Sequence, residues 1–200
     1  MKRIAFLLAV ILMLSVILIG CRRGESEEFL ASVISDWEVL SHYSGNEDGK
    51  YVGTYDKDGD VYVFTWLEGM DKNMYLNVKT SSFMGGLSTH EIYMNKLAPL
   101  PVMVCDAKRI DVKWNNVPQT IDDEKNVSDL LDIIRRGEGT KTERQLLSNT
   151  KIVFDLPCDL TLTCHLKKKA DGTFYLIHFD QRSGDYFSYD VTEVFKDKLR

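Results

Sequence analysis

Residues 50–67 read Lys-Tyr-Val-Gly-Thr-Tyr-Asp-Lys-Asp-Gly-Asp-Val-Tyr-Val-Phe-Thr-Trp-Leu. Lys50 to Tyr55 and Val61 to Leu67 are rich in β-branched and aromatic residues, which pack well on a pleated surface and favour strands. Between them, Asp56-Lys57-Asp58-Gly59-Asp60 contains an Asp-Gly pair. Glycine takes positive φ without steric cost, so the stretch predicts a β-hairpin. The pattern returns further along the chain. Asp58-Gly59-Asp60-Val61-Tyr62-Val63-Phe64-Thr65-Trp66 matches Asp171-Gly172-Thr173-Phe174-Tyr175-Leu176-Ile177-His178-Phe179, with Tyr at the same offset from each turn. Two related β-meanders, or simply two hairpins of ordinary chemistry, account for this.

Working outward, strands are expected at Met74 to Thr80, His90 to Met94, Pro101 to Cys105 and Arg109 to Trp114. In the last, Ile110, Val112 and Trp114 alternate with Asp111 and Lys113, the period of a half-buried antiparallel strand. Strands resume at Lys151 to Leu156, Asp159 to Leu166, Thr173 to Asp180 and Tyr186 to Tyr189. Helical spacing appears at Phe29, Leu30, Val33, Ile34 and Trp37. It is clearer at Val127, Leu130, Leu131 and Ile134, with Asn126 or Ser128 to cap the start and Gly137 to stop the helix near Arg136. Glu143 to Leu147 suggests one more helical turn, Met84 to Leu87 a loop, and Val191 to Arg200 a short helix. The fold class that follows is α+β: mostly antiparallel β, a sandwich or open barrel, with one or two flanking helices in a single globular domain over 29–200.

The N-terminus has a different character. Lys2 and Arg3 precede an apolar run from Ile4 to Ile19, too short for an ordinary membrane span of about 20 residues and typical of a secretory signal. The run ends in Leu18-Ile19-Gly20-Cys21. This segment resembles the signal peptide and lipobox of bacterial lipoproteins. The resemblance implies that 1–20 is cleaved off and that the Cys21 thiol carries the acyl chains holding the protein to a membrane in the periplasm. By resemblance to enterobacterial lipoproteins, an Asp in place of Arg22 would favour retention in the inner membrane, so the resemblance implies the outer membrane. Residues 22–28, Arg-Arg-Gly-Glu-Ser-Glu-Glu, read as a tether leading to the domain.

Cleavage would leave 23 basic and 30 acidic residues, a net charge of -7. An acidic surface disfavours nucleic acid. Cys105, Cys158 and Cys164 would remain in an oxidising compartment, which favours a disulfide. If Asp159 to Leu166 is extended, Cys158 and Cys164 lie too far apart to bridge, and Cys105 pairs with Cys158 or Cys164. If the segment turns back, Cys158 to Cys164 becomes feasible, and three buried thiols are the remaining alternative. Cys164 and His165 are adjacent, and on a strand they face opposite ways, which argues against both a metal pair and a nucleophile–base pair. The acidic loop at Asp56–Asp60 lacks the closing Glu and flanking helices of a calcium loop.

No catalytic motif appears around His42, His90, His165 or His178. There is no Gly-x-Ser-x-Gly, phosphate loop, His-Glu-x-x-His, dinucleotide fingerprint or Cys-x-x-Cys. No catalytic residue, cofactor or metal is therefore assigned. Tyr51, Tyr55, Tyr62, Trp66 and Tyr75 cluster in the first meander; Phe174, Tyr175, Phe179, Tyr186, Phe187 and Tyr189 cluster in the last. Arg135, Arg136, Lys141, Arg144, Lys151 and Lys167–Lys169 concentrate basic charge on an acidic chain. These features suit a non-catalytic, lipid-anchored envelope lipoprotein that binds a protein partner in assembly or as an accessory factor. An immunity or inhibitor protein against a periplasmic toxin or wall-cleaving enzyme, and a small periplasmic hydrolase, are the alternatives.

Overall fold

Two antiparallel sheets share one apolar interior in the computed structural model, which describes residues 25–45, 49–82, 88–143, 150–157 and 159–199. The chain enters through α1 (Glu27–Asp36). The Ser26 hydroxyl accepts the Phe29 N–H at 3.2 Å and caps the helix start. Leu30 and Val33 point inward. The tether reading of 22–28 therefore gives way from Glu25 onward: the Glu25 N–H donates to the Val52 carbonyl at 3.0 Å, and Glu27 and Glu28 form the helix's first turn.

The first sheet contains β1 (Glu38–Val39), β3 (Lys50–Lys57), β4 (Asp60–Trp66), β5 (Tyr75–Ser82) and β6 (Thr89–Met94), in the order β1-β6-β5-β4-β3. Asp58 and Gly59 both take positive φ, 54° and 87°, between the paired Lys57 and Asp60, so the expected hairpin forms, with its loop tightened to two residues. Tyr75, Leu76, Asn77 and Val78 are all buried. Leu76 and Val78 meet α1, while Tyr75 faces the second sheet, so the first half of this central strand has no solvent face.

The second sheet is wider: β7 (Arg109–Trp114), β8 (Val117–Ile121), β9 (Thr140–Thr142), β10 (Lys151–Asp155), β11 (Thr161–Lys168), β12 (Phe174–Asp180) and β13 (Asp185–Asp190), ordered β8-β7-β10-β11-β12-β13-β9. The short β2 (Tyr43–Ser44) pairs with the start of β11. One face carries Ile110, Val112, Ile152, Phe154, Leu162, Cys164, Leu166, Phe174 and Leu176 into the core. There it meets Val127, Leu130, Leu131 and Ile134 of α3 (Glu124–Arg136). The same cluster continues to Leu67, Tyr75, Ile92 and Met94 of the first sheet. A final turn, α4 (Thr192–Phe195), buries Phe195 against Phe174.

Here the structure corrects three further readings and adds a strand that the sequence pattern did not show. Pro101–Val104 is a short helix, α2, rather than a strand, because proline at the first helical position has its φ preset and loses no needed N–H. The N-cap of α3 is Asp123, whose carboxylate accepts the Asn126 N–H at 3.0 Å, rather than Asn126 or Ser128. Gly137 does end that helix, at φ 68°. The strand β8 has no period-two signal and contains Pro118, which an edge position tolerates because no donor is needed there. Its hairpin turn is Asn115-Asn116, both at positive φ. Finally, Cys164 is a free thiol sealed in the core, its pKa raised by burial, so no Cys164 bridge with Cys105 or Cys158 is present. Cys158 lies outside the described residues, as do residues 1–24, the Met84–Leu87 loop and Arg144–Leu147.

Candidate functional site

Arg135, in the last turn of α3, ties that helix to the segment after α2. Its Nε donates to the Val102 carbonyl and one terminal nitrogen to the Cys105 carbonyl, both at 2.9 Å; that nitrogen also meets the Asp106 carboxylate at 2.9 Å. Fixing α2 against α3 leaves a half-open cleft of about 380 Å³ between them and the β12–β13 hairpin. Leu100, Val102, Ile134 and Phe187 form apolar wall, Met103 stands at the rim with 47% of its surface exposed, and Val104 beside it is exposed too. Inside the apolar wall sits His178, only 3% exposed, whose Nε2 has no hydrogen-bonding partner. Burial lowers its pKa to about 4, more than the nearby Asp180 raises it, so the ring is neutral at pH 7. A buried nitrogen left without a partner costs about 1–3 kcal/mol, which a ligand group reaching it would recover.

Polar groups edge the same cleft. The Asp180 carboxylate accepts the Arg182 N–H and the Ser183 hydroxyl. The Arg182 guanidinium reaches only the Ala98 carbonyl, at 3.5 Å, and forms no ion pair among the described residues. The cleft thus offers an apolar wall, one cation not committed to a carboxylate and one neutral imidazole. An apolar segment carrying an acidic group matches that set of groups.

The opposite face of the second sheet holds a more polar recess of about 570 Å³. His42, at φ 67°, places Nε2 3.2 Å from the Tyr186 hydroxyl and packs its ring at a tilt against Phe179. The His165 ring centroid lies 6.4 Å away, and Lys141 pairs with Asp185 at 2.7 Å on the rim. A positive φ at a non-glycine residue is uncommon and strained. The β2–β11 pairing holds it, through the Thr163 N–H donating to the His42 carbonyl at 2.8 Å.

The sequence-selected residues disperse over the molecule. His90 lies on β6, and Cys164 and His165 face opposite sides of β11 as strand alternation requires. The basic concentration separates: Arg135 braces α2, Lys141 pairs with Asp185, and Lys168 and Lys169 sit over the Phe174 and Tyr175 rings. Of the noted aromatics, Phe174 packs in the core against Trp114 and Phe195, while Phe179 and Tyr186 contact each other in the recess. Arg182 and Met103 carry no motif. Pro101 as a helix start was the one local signal for the turn that presents Met103. Among the described residues no group of His, Cys, Asp and Glu is arranged to hold a metal, and no helix is long and apolar enough to cross a membrane. No protein-family model, curated protein or solved structure matches the chain.

Proposed function

We propose that this chain is a lipid-anchored lipoprotein of the bacterial envelope, acylated at Cys21, whose domain acts without catalysis by binding a protein partner in the periplasm. The lipobox Leu18-Ile19-Gly20-Cys21 supports the anchor. The observation that carries the binding role is the exposed Met103–Val104 turn beside a cleft holding Arg182 and the unpartnered His178. Exposed apolar surface rimmed by polar groups marks interaction sites. The partner offers an apolar segment with an Asp, Glu or terminal carboxylate. A toxin or wall-cleaving enzyme as that partner would make the protein an inhibitor; an assembly component would make it an accessory factor.

Crosslinking in intact cells at native expression, followed by mass spectrometry, tests this. One dominant envelope protein is expected, crosslinked through an acidic apolar segment. Met103→Asp and Arg182→Ala should lose it, and Val117→Asp, on the far edge hairpin, should keep it. An identical profile from wild type and Met103→Asp, or recovery of abundant lipoproteins and peptidoglycan fragments alone, would overturn the reading.

The His42–Tyr186–His165 grouping favours a second reading, a small periplasmic hydrolase. Hydrolysis of a peptidoglycan or ester substrate that disappears in His42→Ala would establish it.

A further inference from the structure

Sheet register places three separate chain segments at one end of the first sheet. Lys50 pairs with Trp66, Trp66 with Leu76, Leu76 with Tyr93 and Tyr75 with Met94. The start of β3, the β4–β5 connection and the exit from β6 therefore emerge together. The Asn95 N–H donates to the Met74 carbonyl at 2.8 Å, joining the last two directly. This end exposes large apolar side chains that α1 and the second sheet leave uncovered: Tyr51 at 57%, Met74 at 38% and Leu97 at 92%. Lys50, Lys72 and Lys96 are exposed among them.

The N-terminal segment is fastened to the same end. Glu25 donates its N–H to the Val52 carbonyl, and its carboxylate pairs with Lys72. It stands only four positions after Cys21. At about 3.3–3.6 Å per residue, the Cys21 Cα cannot lie more than about 14 Å from that of Glu25.

We infer that this end of the first sheet is a membrane-docking face. It seats Tyr51, Met74 and Leu97 in the headgroup region of the phospholipid bilayer to which Cys21 is anchored. The inference rests on the acylation of Cys21 proposed above. An anchor with so little slack brings this end, rather than any other, to the bilayer surface. Tyrosine suits the headgroup level because its ring is apolar and its hydroxyl polar. Lys50 and Lys96 beside it lay their stems on the apolar surface and direct their ammonium groups to lipid phosphates, while Lys72 holds Glu25. Carboxylates share this end as well: Glu25 is paired with Lys72, Asp71 accepts the Asn73 N–H and side-chain amide, and Glu68 is exposed in the β4–β5 connection, so charge here is mixed and apolar burial carries the contact. Burial of Tyr51, Met74 and Leu97 supplies the favourable free energy, and the anchor supplies the orientation.

Hydroxyl-radical footprinting reads the native side chains directly. The acylated chain, in vesicles of phosphatidylethanolamine and phosphatidylglycerol, is compared with the mature chain carrying Cys21→Ser in solution. Oxidation of Tyr51 and Met74 should fall several-fold on vesicles, while Tyr175 and Trp114, on the other sheet, react equally in both. Tyr51→Asp combined with Leu97→Asp should abolish the protection at Met74 with the anchor intact. A chain that is acylated and vesicle-bound, yet as reactive at Tyr51 and Met74 as in solution, overturns the docking face alone. The mass of the Cys21 peptide from cell membranes is read on the same sample. An unacylated Cys21 there overturns the anchor and this inference with it, leaving the cleft experiment unaffected.

Discussion

The two sheets solve the same burial problem differently. In the second, β7, β10 and β11 send one face into the core and not the other, and β12 departs from this, with Leu176, Ile177 and His178 buried in succession. Ile152 and Phe154 are buried while Val153 between them and Asp155 after them are partly exposed, and the amphipathic α3 closes the core face. In the first, β5 is buried on both sides, toward α1 and toward the second sheet, so Tyr75 to Val78 form an unbroken buried run. The lesson concerns alternation. A strand shows period two when only one face is covered, and loses it when a second layer arrives from elsewhere in the chain.

The first way to break this comparison is to open the shared interior. Phe154→Ala, in the middle of the second sheet, is expected to cost about 3–5 kcal/mol. Both sheets should still unfold in one transition, because the larger cluster reaches Tyr75, Ile92 and Met94. Denaturant melts followed by tryptophan fluorescence and far-UV dichroism check this. Two separated midpoints would show that the first sheet has an independent core.

A second test acts on the thin layer between α1 and the first sheet. A Cβ at Gly53 would stand 2.6 Å from a Leu30 methyl, so glycine there permits the close approach of helix and strand. Gly53→Ala should destabilise by about 1–3 kcal/mol through overpacking. In a Leu30→Ala background the same change should cost much less, giving a positive coupling in a double-mutant cycle. Additive costs would mean that α1 shifts freely on the sheet.

The smallest expected effect sharpens the likeness between the two Asp-Gly turns. At Asp58-Gly59 both residues take positive φ in a two-residue loop. At Asp171-Gly172 only glycine does, at 92°, in a wider turn closed by the Lys169 N–H to the Thr173 carbonyl. Gly59→Ala and Gly172→Ala should each cost about 1 kcal/mol, the penalty of left-handed backbone at a residue with a side chain. Asp58→Gly should stabilise by several tenths, whereas Asp171→Gly should not, since Asp171 accepts the Thr173 N–H. Thermal melts of the four variants decide it, and equal responses to the two Asp→Gly changes would make the turns equivalent.

Much of the fold was legible in the sequence where chemistry is local. Asp-Gly marked the first hairpin, Ile110-Asp-Val-Lys-Trp114 marked β7, and Val127 through Ile134 marked the face of α3. The strand β8 escaped because Pro118 and an absent period hide an edge strand, although Asn115-Asn116 between Trp114 and Val117 is itself a turn signal. The cleft was not legible at all. His178 and Arg182 belong to one hairpin, Met103 to a turn some 75 residues earlier, and Arg135 braces them from a third element.

The sequence by itself determined the α+β class, the Asp-Gly turns and the expectation of an acylated Cys21, because each depends on neighbours within a few residues: turn φ, side-chain period, a lipobox beside a short apolar run. Tertiary structure alone decided that Cys164 is sealed rather than bridged, that His178 is neutral with Nε2 unpartnered, and that Tyr51, Met74 and Leu97 share the end of a sheet next to Glu25. Desolvation, cavity shape and surface continuity depend on which distant segments come together. Strand pairing over long sequence separations fixes that, and the composition of no single segment contains it.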